Sequence, residues 1–551
     1  MPLAMFPGRL FMVLESTGIL KAAASCGGTA GLAVASRISI GLPDLSVLVI
    51  EAGPDGRQEP GIYIPGRKGS TLGGKYDWNF TTTAQPHAND RVFAQNRGKS
   101  LYAAMLRAET FLPSPAYGVE GVGKTGPIRT LINRILPRHQ ATWIPTMSSL
   151  GLPNNRESLN GHPLGVSTQP SNINPNYTRS YAPEYLRLAG ENLHLMLETR
   201  VAKINFEGTT ASGVTLEDGT AITARREVIL SAGSFQTPGL LELSGIGNAT
   251  LLQKLGIPVV KNLPFVGENL QDHIRTQLSF QLKPEYTSFD LLKNTTRAAA
   301  ELALYNAGQR SLYDYTGSGY AYFPWNLISN ATASKLRSLV ESDTSLTSPT
   351  DKLKKSYSSP TLSNTVPQLE IIFSDGYTGL KGYPATNSSH FGINTFSLIG
   401  AVQHPLSNGY VHIHSRNIAE KPLINPNYLS HAYDVAAITH LAQFMRRVAM
   451  AAPMRDIWTV EYEPGEAVQT EREWEAFARQ NTFSIYHPVG TAALLPERDG
   501  GVVDPDLKVH GIQGLRVVDA SVIPLLPSAH VQTLVYGIAE KAADMIVGAY
   551  S

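Results

Sequence analysis

Read for the spacing of apolar and polar positions, the chain alternates between short β-like runs and stretches of helical period. The clearest helical stretch follows His530, where apolar residues recur from Thr533 to Ile546 with Gly537 as the only breaker. Upstream of it, Leu515-Arg516-Val517-Val518 reads as a strand that closes on Asp519, Ala520 and Ser521. A strand that runs through small residues into a helix sets the helix N-terminus over a ligand crevice. His530 is therefore expected at a strand-to-helix crossing, and His487, between Tyr486 and Pro488, in a loop.

The same grammar opens the chain. Cys26-Gly27-Gly28-Thr29-Ala30-Gly31 precedes a helical run from Leu32 to Ser39, then the breaker Gly41-Leu42-Pro43 and a strand, Ser46 to Ile50, that ends on Glu51. This is a βαβ nucleotide cradle. Gly28 would let the backbone approach a pyrophosphate, Gly31 would let helix close on strand, and Glu51, about 20 residues further on, would bind a ribose hydroxyl. Two positions depart from the pattern. Cys26 stands where the first glycine belongs, and Leu20 to Ser25, the expected first strand, has the composition of a helix.

Residues 113–190 read as loop with short helices, including Thr130 to Leu136 and Ala182 to Leu188. Leu193 to Glu227 alternates in short strands around the turn Glu217-Asp218-Gly219. The strand Val228 to Ala232 then feeds Gly233 and a helix, a second place where backbone amides can meet phosphate. Residues 276–480 hold spaced β-rich runs, such as Gln368 to Phe373 and Phe396 to Gly400, and a long helix from Asp434 to Met450. Strands grouped in this way suit an antiparallel sheet roofing a site. Tyr320, Tyr322, Phe323 and Trp325 offer an aromatic lining or plain core.

Composition removes several function classes. The 551 residues carry 46 Lys and Arg against 45 Asp and Glu, scattered, which argues against a nucleic-acid or anionic-membrane face. The single cysteine, Cys26, excludes an intramolecular disulfide. No window is long and apolar enough to span a bilayer. The N-terminus imitates a secretion signal, but Glu15 and Lys21 interrupt it, so an intracellular location is expected. No zinc-ligand spacing, Walker loop, nucleophile elbow or internal repeat is present. What remains is proton chemistry: two imidazoles at one crevice can move a proton at neutral pH.

Three stretches carry a resemblance to a known family. His487 to Thr491, of the form His-x-Val-Gly-Thr, and His530 just before the last helix resemble the C-terminal signature of the glucose–methanol–choline (GMC) oxidoreductases. Gly233-Ser234-Phe235-Gln236-Thr237-Pro238 with Ser244-Gly245-Ile246-Gly247 resembles their second signature, and Val266 to His273 a further block. The resemblance implies a discontinuous Rossmann-like FAD-binding domain and a substrate-binding domain with an antiparallel sheet. Residues 1–100, 191–275 and 481–551 would form the first, 276–480 the second, with 101–190 connecting. It implies His487 and His530 as catalytic residues. It implies FAD contacts at Gly27, Gly28, Thr29, Ala30, Gly31, Glu51, Ala52, Val201, Gly233, Asp519, Ala520 and Val531.

The activity implied is FAD-dependent oxidation of an alcohol, with O₂ or another electron acceptor and no metal. The text is similar to fungal members, many of which act in secondary metabolism. One departure stands out. After Gly98-Lys99-Ser100 the family's glycine pair is absent, and Ala108-Glu109-Thr110-Phe111 arrives early, so a flavin-contacting loop is expected to be missing. A flavin-retaining lyase or isomerase, and a non-catalytic protein on the same scaffold, remain alternatives.

Overall fold

The computed structural model describes residues 22–25, 28–95, 107–315, 317, 319–388 and 391–551. Cys26, Gly27 and the stretch after Lys99 lie outside the described residues, as do the expectations placed on them.

Two sheets organise the chain. The first is parallel and five-stranded, in the order Leu515–Val517, Val228–Leu230, Ala22–Ser25, Val47–Ile50, Leu193–Met196. Its strands come from the beginning, the middle and the end of the chain, so this layer cannot close until the last segment has joined. The helix Thr29–Gly41 lies against the final helix, Gln532–Tyr550. The Arg37 Nε donates to Glu540 at 3.0 Å and the Tyr185 hydroxyl donates to the same carboxylate at 2.7 Å. A three-stranded antiparallel ribbon, Val201–Glu207, Thr210–Leu216 and Ala221–Thr223, flanks this layer.

The second sheet is antiparallel. Its order is Trp458–Glu463, Ile274–Leu282, Thr395–Val402, Leu369–Asp375, Gly319–Phe323, Gly165–Thr168, with Phe483–Ser484 also paired to Ile274–Leu282. The helix Ala432–Met450 covers it, burying Ile438, Leu441 and Met445 against Leu278, Phe280 and Leu398. The fold is thus α/β, with a Rossmann-like layer beside an antiparallel roof.

One local expectation is met against composition and one is corrected. Residues 22–25 form the expected first strand despite a helix-favouring composition, because Ala22 and Ala23 pair with Val47 and Leu48 on one side and Ala23 with Val228 on the other. A ladder on both edges outweighs a helix preference of a few tenths of a kcal/mol per residue. Thr130 to Leu136 is not helical: Ile128–Thr130 is a strand, and Leu131 exchanges backbone bonds with Ser171 at 3.0 and 2.8 Å. Arg134 then turns away to Asp314, its Nε donating at 2.8 Å. Ala182–Arg187 is a tighter 3₁₀ helix.

Candidate active site

The loop that carries His487 is fastened to the segment before the strand Ile274–Leu282. Gln271 and Val489 exchange backbone bonds at 3.1 and 2.9 Å, and Ile485 N donates to the His273 carbonyl at 3.2 Å. The buried Asp272 carboxylate accepts the backbone N–H of His487 at 2.8 Å and the hydroxyls of Tyr428 and Ser484. Tyr486 adopts a left-handed φ of +66° immediately before His487. In the ring, His487 Nδ1 lies 2.8 Å from His273 Nδ1, and His273 Nε2 lies 3.1 Å from the Pro527 carbonyl oxygen. Burial pushes the His273 imidazole down to about 3, so it is neutral.

His530 approaches from the other side, just ahead of the helix Gln532–Tyr550. Its Nε2 donates to Glu370 Oε1 at 2.8 Å. Glu370 is fully buried in the roof strand Leu369–Asp375, and its oxygens also accept Tyr322 OH at 2.9 Å and Gln403 Nε2 at 3.2 Å. Burial works against charge on both partners, but their attraction exceeds it. The pKa of His530 is raised above the ordinary imidazole value, and that of Glu370 is lowered. The ring centroids of His487 and His530 are 4.8 Å apart, and Tyr320 sits 5.5 Å from His530. Tyr322, Phe323 and Trp325 are core.

A fourth histidine stands behind this pair. His404 Nε2 is 2.7 Å from Ser528 Oγ, whose hydroxyl donates to the Pro367 carbonyl at 2.8 Å, so His404 Nε2 carries the proton. Burial holds His404 down at about 4. The crevice therefore holds one imidazole paired with a carboxylate, two kept neutral by enclosure, and His487 among them.

The cradle residues lie at the ends of the parallel strands. Gly28 caps the helix Thr29–Gly41 with no side chain, and a Cβ built on it would meet only the Ser231 carbonyl, at 3.6 Å. Gly233 turns at φ +78° with nothing within 4 Å of a built Cβ, so backbone reaches a ligand there without obstruction. The Ser231 hydroxyl beside them is buried without a hydrogen-bond partner. Glu51, at the end of Val47–Ile50, accepts Gly53 N at 2.6 Å with one oxygen. An open glycine cradle, a helix start with no acid in its first turn and an orphaned hydroxyl fit a dinucleotide. Thr29, Ala30 and Gly31 form the first turn of that helix, and Ala52 follows Glu51.

Asp519 is bonded within the protein. Its carboxylate accepts Gly233 N at 2.9 Å, Thr237 Oγ1 at 2.6 Å and Ser521 N at 2.7 Å, so it secures the Gly233 turn. Ala520 begins a 3₁₀ turn, Val531 is the N-cap of the last helix, and Val201 is buried at the start of the ribbon. Three residues of the site escaped sequence reasoning, and His404 carried no signal of its own. Glu370 was visible as an acid within an apolar strand, a position that demands a partner. His273 was visible only as the last letter of a block. Among the described residues no group of three or more His, Cys, Asp or Glu could hold a metal ion. No helix among them is long and apolar enough to cross a membrane.

Known proteins are similar to this chain. The GMC oxidoreductase family models match residues 24–275 and 405–539. The chain is 31% identical to the GMC oxidoreductase family protein Mala s 12 of Malassezia sympodialis, covering 95% of this chain and 91% of that one. It is 31% identical to the dehydrogenase pkfF of Emericella nidulans, covering 94% and 92%. An FAD-dependent oxidoreductase from Chaetomium thermophilum superposes with a TM-score of 0.85 at 26% identity, over 96% of this chain and 99% of that one. The cofactor is FAD, and the reaction joins a small-molecule substrate to an electron acceptor. The chain belongs to the GMC oxidoreductase family and is an FAD-dependent oxidoreductase.

Proposed function

We propose that the protein oxidises the hydroxyl of a small organic alcohol, with His487 as the general base and His530 as the group that binds the substrate oxygen. The observation that carries this reading is the pairing of two imidazoles, 4.8 Å apart, with His530 backed by the buried carboxylate of Glu370. His487 takes the hydroxyl proton. His530 gives its Nε2–H to Glu370, which leaves Nδ1 to meet the oxygen, and its cationic form steadies the alkoxide that develops. Bound FAD would supply the acceptor for the α-hydride of the alcohol, and O₂ or another acceptor would then take the two electrons.

We assign the cofactor side to residues 1–100, 191–275 and 481–551, and the substrate side to 276–480, with 101–190 between them. Gly28, Thr29, Ala30, Gly31, Glu51, Ala52, Val201, Gly233, Ala520 and Val531 would contact FAD, and Asp519 would act through Gly233. The glycine cradle and the Asp519 bonds support these roles.

The test is an anaerobic titration of the flavin-loaded protein with a panel of primary and secondary alcohols, aromatic ones included. Bleaching of the flavin spectrum by one of them is the expected result. His487→Ala should retain flavin and fold while the bleaching rate falls by about 10²–10⁴-fold, the usual worth of a general base. Loaded protein that no alcohol bleaches, but that converts a substrate with no acceptor present, would replace oxidation with lyase chemistry.

A further inference from the structure

The contacts of His273 assign the proton on His487. A carbonyl oxygen only accepts, so the 3.1 Å contact with Pro527 O places a proton on His273 Nε2. The 2.8 Å contact between the two Nδ1 atoms needs one donor and one acceptor, since two N–H groups or two lone pairs would repel. With His487 neutral, two arrangements satisfy both contacts. In one, His273 is neutral, its Nδ1 accepts, and His487 carries its proton on Nδ1. In the other, His273 is an imidazolium and His487 is protonated on Nε2.

Enclosure decides between them. The His273 side chain is 0% exposed, and neither of its nitrogens is bonded to a carboxylate. The groups whose fields reach it are Glu370, His404 and His530, and the Glu370 charge is already taken up by His530. A cation there would lack compensation. The neighbouring residue completes the grip: Asp272 holds the His487 backbone N–H while His273 holds its ring.

We propose that His273 is a positioning residue that keeps the proton of His487 on Nδ1, so that Nε2 carries the basic lone pair. The chemical use of that lone pair rests on the alcohol-oxidising reading above; the tautomer itself does not.

The experiment is ¹⁵N NMR of flavin-loaded protein labelled with [¹⁵N]histidine, with the His487 resonances assigned by their loss in His487→Gln. The expected spectrum shows His487 Nδ1 as N–H and Nε2 as a lone-pair nitrogen. The opposite tautomer overturns the proposal, whatever the substrate proves to be. Two variants add kinetics. His273→Asn can still accept from His487 Nδ1 through its amide oxygen, and should keep the wild-type tautomer with kcat within roughly tenfold. His273→Leu cannot, and should lose about 10²–10⁴-fold in kcat at similar KM, the scale set by a base in the wrong tautomer. Equal losses in both variants, or none in Leu, mean that His273 only fills space. Should the Leu variant fail to fold, the wild-type spectrum and His273→Asn still decide. Should no alcohol be oxidised, the spectrum still reads the tautomer.

Discussion

Two histidines in this protein donate to buried glutamates, and they do opposite things. His412 is clamped on both sides, its Nδ1 2.6 Å from Glu242 and its Nε2 3.0 Å from Glu268. It borders an outer groove of about 490 Å³, together with Lys254, Tyr410 and His414. Burial opposes its charge, but the two carboxylates prevail and raise its pKa to about 9. Both nitrogens are committed, so His412 is a bolt that ties the helix Gly233–Leu243 to the strand Tyr410–His412. His530 gives Glu370 a single nitrogen, and under the proposed function its second meets the substrate oxygen. A groove and a charged histidine are thus not enough to mark a site. What matters is how many ring nitrogens the fold leaves over.

The largest effect that would break this contrast belongs to His412→Ala. It strands Glu242, which is 0% exposed, and removing one partner of a buried ion pair costs about 3–5 kcal/mol. The melting temperature should fall steeply while kcat/KM of the loaded enzyme stays unchanged; lost turnover at constant melting temperature would erase the distinction. The pH dependence has a defined sign. Because the folded-state pKa is raised from 6.5 to about 9, the contribution of this pair is complete below 6.5 and is lost as pH rises through about 9. The stability gap between wild type and variant should therefore close on the alkaline side.

Glu370→Gln comes next. It removes the charge that favours the cationic form of His530, and a hydrogen bond to a charged group is worth about 1.5–3 kcal/mol, so kcat should fall roughly 10–100-fold. In the wild type the support from His530 is present below the ordinary imidazole pKa and is lost as pH rises through its raised value. The variant's kcat–pH profile should lose activity at lower pH. An unmoved profile would put His530 in the same structural class as His412.

The smallest effect concerns a buried acid with no histidine at all. Asp519 is held by Gly233 N, Thr237 Oγ1 and Ser521 N. Thr237→Val deletes one of these bonds and should cost about 1 kcal/mol in thermal stability. FAD retention, measured by dialysis, should weaken as the Gly233 turn loosens.

Much of the fold was legible because it is written locally. The run Val228 to Ala232 with Gly233 announces a strand–turn–helix unit, and the helical run from Leu32 followed by the strand from Ser46 to Glu51 announces a helix–strand unit, through spacing alone. Composition misleads where pairing partners decide. Ala22–Ser25 keeps its strand through Val47–Ile50 and Val228–Leu230, and Thr130 to Leu136 is held out of a helix by pairing with Glu109–Phe111 and Ser171. At the candidate site, His487 and His530 were visible through motif and position. Glu370 looked like one letter of a strand, and His273 like the end of a block, because their importance lies in whom they touch.

By itself the sequence determined the order of its β and α units, the glycine turns at the ends of the parallel strands, and which two histidines to watch. Tertiary structure decided which partners their ring nitrogens meet. His273 is 214 residues from His487, and Glu370 is 160 from His530. Protonation state depends on a bond of about 3 Å and on the exclusion of water around it. Both exist only once the roof sheet has closed over the nucleotide fold.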